Sequence, residues 1–345
     1  MGNNKINNKI VVKNDDFEKS ILDFLQNLDI NKNQRLAVAV SGGSDSLSLV
    51  IALNNLKYDV LAILVNHNLR KNALNEIKQT SKTLEKFGIK YVIRQWDGKY
   101  KKNLEAEARK NRYRLLIETC KENKIKFLCI GHHIDDQMET FLLNLMRGSG
   151  LDGLCAMPKI MNANDINIVR PMLNLTKQDC RNYLKNINID WCEDESNNDI
   201  KYKRNKIRYL LNQFEDKEIL TKRIVRSVDS LQEVREFIDD YIETIFNDKN
   251  IIFFNDKKNQ FEINKNEFLK LKKYIQKSII VKCVAIISKI EYKVSLYKTE
   301  NILNDILSNK PFKRTIEKCF VESEKRKISR NKIIIAYLDN TKNKQ

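Results

Sequence analysis

The sequence predicts an α/β fold: a parallel sheet with helices on both faces, followed by a second, mainly helical domain with small strands. Three observations predict it. Over residues 30–212, short continuous apolar runs alternate with stretches whose apolar residues recur at helical spacing, as buried strands and crossover helices do. The 345 residues include only three prolines and nine glycines, too little turn chemistry for an all-β fold. After residue 212 the runs give way to long amphipathic stretches.

The strand candidates are 36–40 (LAVAV), 60–65 (VLAILV), 91–93 and 127–130. Between them 46–56, 73–87 and 104–122 read as helices, and 135–147 follows the fourth strand. Thr176 and Asp179 form a T-x-x-D capping box that opens a helix over 177–186. Beyond, 219–246 is a long amphipathic helix, and 251–254 and 261–263 flank a polar NDKKNQ as a small hairpin. Residues 268–287 and 299–307 read as helices, with closing strands at 315–321 and 332–337. The domain divisions expected are 1–29 (an extension and first helix), 30–212 and 213–345. The first dozen residues and the TKNKQ tail are expected to be disordered.

Composition narrows the function classes. Hydrophobic residues at 42% and charged residues at 31% are globular usage, not that of a disordered chain. No apolar run is long enough for a membrane span, and MGNNKINNKI has no apolar signal-peptide core, so a cytoplasmic protein is expected. Seven cysteines, at 120, 129, 155, 180, 192, 283 and 319, make no C-x-x-C pair, which reads as reduced core thiols without a zinc or iron–sulfur framework. The formal net charge is +18, and residues 271–345 hold 18 basic against 7 acidic side chains. Such an excess suits a polyanionic partner, most simply nucleic acid; a solvated lysine-rich surface is the alternative.

Ser41-Gly42-Gly43-Ser44-Asp45-Ser46 directly follows the first strand and opens a helix. Glycine backbone freedom, serine hydroxyls and a helix N-terminus together make an anion cradle. Gly148 to Gly153 matches G-x-G-x-x-G, but it follows a helix, which argues against a dinucleotide fingerprint. In the segment 131–140 (GHHIDDQMET), Asp136 and Glu139 stand three apart on one helical face and can hold an ammonium group, or simply favour the helix dipole. His132 and His133 can meet a nucleotide or serve as polar loop residues. Arg109 and Arg112, spaced i,i+3, and Arg204 and Arg208, spaced i,i+4, can stabilise phosphate charge, grip RNA, or pair with Glu105, Glu107 and Asp194. His67 ends the second strand and can line a nucleotide pocket or cap a turn.

S-G-G-x-D-S resembles the PP-loop of the ATP pyrophosphatase family, and no Walker A pattern occurs. Residues 103–113 (NLEAEARKNRY), 131–157 (GHHIDDQMETFLLNLMRGSGLDGLCAM), Arg170-Pro171, 194–197 (DESN) and 204–208 (RNKIR) then follow in order. Together these motifs resemble the tRNA(Ile)-lysidine synthetase family, strongly over residues 30–212 and weakly beyond, as a short form without that family's last C-terminal domain.

The resemblance implies adenylation of C2 of wobble cytidine 34 in an isoleucine tRNA with a CAU anticodon, followed by replacement of AMP by the ε-amine of free L-lysine. It implies ATP as a substrate and Mg²⁺, tRNA and lysine as partners, and leaves a homodimer open. The ATP-binding residues would be Ser41, Gly42, Gly43, Ser44, Asp45, Ser46 and His132, with Asp45 also on Mg²⁺–pyrophosphate. Asp45, Arg109 and Asp136 would be catalytic. Asp136, Glu139 and Arg204 would bind lysine, and Arg112 and Arg208 the tRNA. A PP-loop tRNA thiolation enzyme and a non-catalytic tRNA-binding protein are the competing readings; the first usually carries C-x-x-C pairs, and the intact loop with its acid pair weighs against the second.

Overall fold

The computed structural model describes residues 14–66, 73–96, 104–193, 203–289, 294–308, 310–323 and 332–338. The first dozen residues, His67, residues 194–197, the Glu105 side chain and the TKNKQ tail lie outside the described residues. The chain divides into two compact units, Met1–Gln232 and Glu233–Gln345.

The first unit is an α/β layer structure. Its elements are α1 (Asn14–Gln26), β1 (Leu36–Val40), α2 (Ser44–Asn55), β2 (Val60–Asn66), α3 (Ala73–Lys86), β3 (Lys90–Gln95), α4 (Leu104–Glu122), β4 (Phe127–Cys129), α5 (Ile134–Met146), α6 (Leu151–Leu154), β5 (Ile160–Ala163), β6 (Ile166–Val169), α7 (Lys177–Asn186) and α8 (Lys203–Asn212). The strands form one sheet in the order β3-β2-β1-β4-β6-β5, parallel except for the β5 edge.

Alternation along β1 explains both faces of the sheet. Leu36, Val38 and Val40 join the core with α1, α2, α3 and α7, while Ala37 joins the one with α4. From β1 the chain builds outward through β2 and β3, and from β4 outward through β6. The β1/β4 boundary is therefore the topological switch point, beyond whose carboxyl ends α/β sheets bind ligands.

All four expected strands and the capping box are present, Thr176 Oγ1 accepting from Asp179 N at 3.0 Å and Asp179 from Thr176 N at 2.8 Å. Two features differ. Helix α2 starts at Ser44 rather than 46, because Gly43 takes the extended N-cap conformation. The β5–β6 hairpin was not expected: β5 is a largely exposed edge strand, and its turn is Asn164-Asp165, both at positive φ, which these short polar side chains tolerate.

The helix α9 (Lys217–Asn247) runs through the division at residues 232 and 233. The remaining elements are β7 (Ile252–Asn255), a 3₁₀ turn, β8 (Gln260–Asn264), α10 (Lys265–Lys270), α11 (Lys273–Ser288), α12 (Leu296–Leu307), β9 (Phe312–Ile316), β10 (Cys319–Ser323) and β11 (Lys332–Tyr337).

Here the small strands join into one antiparallel sheet, β7-β8-β11-β10-β9, under α11 and α12. The helix expected over 268–287 breaks where Leu271 turns extended (ψ 154). The strand expected over 315–321 is a hairpin that turns at Glu317 (φ 51). Its core collects Ile279, Cys283, Leu303, Val321 and Ile335. Six of the seven cysteines are buried, and burial pushes the Cys120 and Cys129 thiols up to about 12. Among the described residues no helix is long and apolar enough to cross a membrane.

Candidate active site

The loop between β1 and α2 is locked from several sides. Gly42 sits at φ +87, and a Cβ there would lie 2.5 Å from Thr80 Oγ1, so both backbone angle and space demand glycine. Cys192 N donates to Gly42 O at 3.0 Å. Ser41 N donates to Ser46 Oγ at 3.1 Å, and Ser46 Oγ to Gly43 O at 3.2 Å. Gly43 brings no side-chain cap, so the first turn of α2 keeps backbone N–H groups for an anion. Gly131, after β4, packs against that turn: a Cβ there would lie 2.8 Å from Asp45 O.

The next residues build a charge hub. His133, 2% exposed, caps α5, its N–H donating to Asp136 Oδ2 at 3.1 Å. Its Nε2 lies 3.6 Å from Asp45 Oδ2 and 3.5 Å from Asp136 Oδ2, and its Nδ1 lies 3.3 Å from Asp135 Oδ2. Burial pulls the imidazole pKa down, but the three carboxylates outweigh it and push it up to about 10, so His133 is an imidazolium at neutral pH. Its charge in turn holds Asp45 below the usual carboxylate range, and Asp135 at about 2, against burial that would raise both. Asp135 Oδ2 also accepts from Lys177 N at 3.0 Å, at the first turn of α7.

One helical turn further, Glu139 is 3% exposed. Arg208 Nε of α8 donates to its Oε1 at 2.5 Å, and Arg208 Nη2 lies 3.8 Å from Asp136 Oδ1. Burial raises the Glu139 carboxyl despite this partner, and Oε2 has no hydrogen-bond partner among the described residues. Arg204 Nη2 donates to Thr140 Oγ1 at 3.2 Å.

Opposite, the arginine of Arg170-Pro171, 4% exposed, donates from Nε to His132 Nδ1 at 3.2 Å and from Nη1 to Pro158 O at 2.7 Å. Arg109 and Arg112 lie 5.3 and 5.8 Å from the Tyr113 ring centroid. Burial lowers the Arg112 pKa, and it lowers His132 to about 3.

A cleft of about 430 Å³ opens between these walls. Of the sequence-predicted residues, Ser41, Asp45, Ser46, Arg109, Arg112, His132, Asp136 and Arg204 line it together. Glu139 and Arg208 stand behind that lining, paired with each other; Arg208, expected at the tRNA, faces the one carboxylate nearby that burial leaves most in need of a cation. Sequence reasoning gave Asp135 and Arg170 no role and left His133 between a nucleotide contact and a polar loop position; the structure shows it as a buried N-cap. The doubled acid and the N-cap position before it were the available signals for Asp135 and His133. Arg170 was marked only as part of the Arg170-Pro171 motif; its partner His132 could not be read, because the β5–β6 hairpin that delivers Arg170 was not expected.

A PP-loop domain model matches residues 13–214. The tRNA(Ile)-lysidine synthase of Wolbachia pipientis wMel is 37% identical over 282 residues, covering 80% of this chain and 65% of that protein. That of Rickettsia bellii (strain OSU 85-389) is 32% identical over 325 residues, covering 90% and 72%. The chain therefore spans less than two thirds of the length of the Wolbachia relative. Among solved structures, the U34-tRNA thiolase NcsA from Methanococcus maripaludis is similar in fold, with a TM-score of 0.55 at 20% identity over 64% of this chain and 79% of that one.

The Glu139–Arg208 pair can be tested by stability. Arg208→Met leaves a buried carboxylate without its cation, at a cost of about 3 kcal/mol near pH 8. A carboxyl raised in the folded state is penalised while ionised, so the loss should shrink as pH falls through its raised value. Adding Glu139→Gln should restore most of the stability. Urea midpoints at pH 8 and pH 5 read both effects; an Arg208→Met chain as stable as its parent at pH 8 would remove the pair's role.

Proposed function

The chain belongs to the tRNA(Ile)-lysidine synthase family of PP-loop proteins, and from that premise we propose that it is an ATP-dependent ligase converting wobble cytidine 34 of a CAU-anticodon isoleucine tRNA to lysidine. The observation that carries this reading is one cleft with three facing walls: a phosphate loop, a pair of arginines, and an acidic helix start. An anion and an ammonium group can be held there side by side.

In the first step the C2 oxygen of cytidine attacks the α-phosphorus of ATP, the α–β anhydride bond breaks, and pyrophosphate leaves. In the second, the ε-amine of lysine bonds to C2, the C2–O bond breaks, AMP carries the oxygen away, and the nitrogen gives up a proton. The carbonyl oxygen is a poor leaving group until adenylated, which is why the two steps must share a site.

Gly42, Gly43 and Ser44 with the α2 N-terminus, flanked by the Ser41 and Ser46 hydroxyls and His132, are the proposed ATP cradle. Arg109, on the cleft lining, is proposed to meet the negative charge on the α-phosphate oxygens. Asp45 offers an ionised carboxylate on the cleft wall, a donor that fits Mg²⁺ shared with substrate phosphates, and the ion would supply charge neutralisation for pyrophosphate departure. Asp136 on the lining and Glu139 behind it, whose buried Oε2 has no hydrogen-bond partner among the described residues, are proposed to receive the lysine ammonium, and Arg204 its carboxylate. Arg112 is assigned to tRNA, whereas Arg208 is better placed to hold Glu139. The basic second unit, which exposes Tyr274, Tyr297 and Tyr337, supplies the remaining RNA contacts.

The direct test incubates the chain with ATP, radiolabelled lysine and tRNA transcripts and reads the modified nucleoside by mass. Added lysine supports the assignment; added sulfur, or no addition, overturns it. In the same assay Asp45→Ala should abolish tRNA-dependent pyrophosphate release while the fold persists; unchanged release would sink the phosphate-loop assignment.

Asp136→Asn should separate the half-reactions. Losing one charge-assisted contact should weaken apparent lysine affinity roughly ten- to a hundred-fold, with pyrophosphate release better preserved. Parallel loss of both would move Asp136 to the nucleotide.

Phosphate contacts also make a salt prediction. With about six of them, tRNA affinity should fall about a thousandfold between 50 and 200 mM salt. A flat dependence would exclude the basic surface from binding.

A further inference from the structure

We propose that Arg170 is a positioning residue that fixes His132 as its Nε2–H tautomer, making it a neutral hydrogen-bond donor to a phosphate oxygen of ATP in the cleft. The proposal deepens the functional reading above and rests on it for the identity of the ligand.

The argument begins with the hydrogen bond itself. An arginine Nε–H can only donate, and a guanidinium does not lose its proton in a protein. Because Arg170 Nε donates to His132 Nδ1 at 3.2 Å, that nitrogen must carry a lone pair. A neutral imidazole has one N–H, so the proton resides on Nε2. A doubly protonated ring would set Nδ1–H against Nε–H, donor facing donor and cation facing cation.

The guanidinium cannot readily turn away. Arg170 is 4% exposed, its Nη1 donates to Pro158 O at 2.7 Å, and its own N–H donates to Lys159 O at 3.0 Å. It follows directly on β6, which pairs with β4, the strand that leads into His132. The sheet therefore sets both partners.

Backbone proximity points to phosphate as the acceptor. Gly131 packs on Asp45 in the first turn of α2, so the His132 ring, which lines the cleft, stands beside the loop where an anion binds. Arg109 and Arg112 already supply positive charge on that side. His132 adds direction without further charge, and a fixed tautomer avoids selecting one of two forms at the moment of binding.

The chain has only three histidines, which makes the tautomer directly measurable. The full-length protein is labelled with ¹⁵N in its histidine rings, and two-bond ¹H–¹⁵N correlations are recorded at pH 7, assigned with His67→Gln and His132→Asn variants. His132 should show an unprotonated Nδ1 and a protonated Nε2, and Arg170→Met should lose that preference. Magnesium-ATP binding is then measured by calorimetry. Gln can place its amide near the Nε2 position, whereas Asn reaches only the Nδ1 side. His132→Gln should hold affinity within about threefold, while His132→Asn and Arg170→Met should weaken it roughly ten- to a hundred-fold, the worth of a hydrogen bond to a charged group.

A wild-type His132 that is doubly protonated or carries its proton on Nδ1 overturns the proposal, as does equal affinity of the Gln and Asn variants. The wild-type spectrum and the His132 pair decide the matter even if Arg170→Met fails to fold. A chain with this tautomer that binds no ATP overturns the donor role. A chain that binds ATP as expected yet adds no lysine to tRNA overturns the functional reading and leaves the proposal standing.

Discussion

The His133 imidazolium is the interaction on which the candidate site depends. Three aspartates approach it: Asp45 from the phosphate loop, and Asp135 and Asp136 from the start of α5. Asp135 carries the connection on to the first turn of α7 through Lys177 N. Without a cation at the centre, three carboxylates around one buried point would repel one another or take up protons. With it, Asp45 and Asp135 stay ionised, and all three are oriented. Such a cluster is weak support for net stability, because desolvation consumes much of the attraction; its effect is to fix where the charges point.

The same logic repeats at smaller scale around the cleft. Glu139 is tied by Arg208, and His132 by Arg170. In each pair an arginine, itself held by a second contact, limits how its partner can turn. That is what the proposed handling of two differently charged substrates would require, since water would otherwise screen and reorient the charges.

Legibility in the sequence followed locality. The phosphate loop could be read because strand, glycines, serines and helix start lie within a few consecutive residues, and each has its own backbone rule. The parallel strands could be read because burial on both faces makes them continuous apolar runs. The β5–β6 hairpin could not: β5 is exposed at the sheet edge and lacks the apolar signal, and its Asn164-Asp165 turn contains no glycine. In the second unit each strand except the hairpin over 312–323 was legible singly. Their union into one sheet rests on pairings such as β11 with β8, which join residues far apart in the chain. The electrostatic contacts failed for the same reason. Arg170 and His132 are 38 residues apart, and Arg208 and Glu139 are 69 apart, so motif spacing could mark Arg208 as functional but could not show what it faces.

The distribution of charge around the cleft bears on how the proposed adenylation and amine attack would share one pocket. The arginine wall and the helix N-terminus favour ATP, whereas Asp136 and Glu139 would repel it if they stood as bare carboxylates on the lining. They do not: Asp136 sits against His133 and near Arg208, and Glu139 is withdrawn behind Arg208. The acids are thus partly neutralised toward the phosphates, while Glu139 Oε2 is buried without a hydrogen-bond partner among the described residues. In the proposed site an ammonium group that reached this oxygen would satisfy it, whereas a phosphate would not. In the proposed reaction, this asymmetry lets lysine be held close to the adenylated carbon without weakening the grip on the nucleotide that activated it.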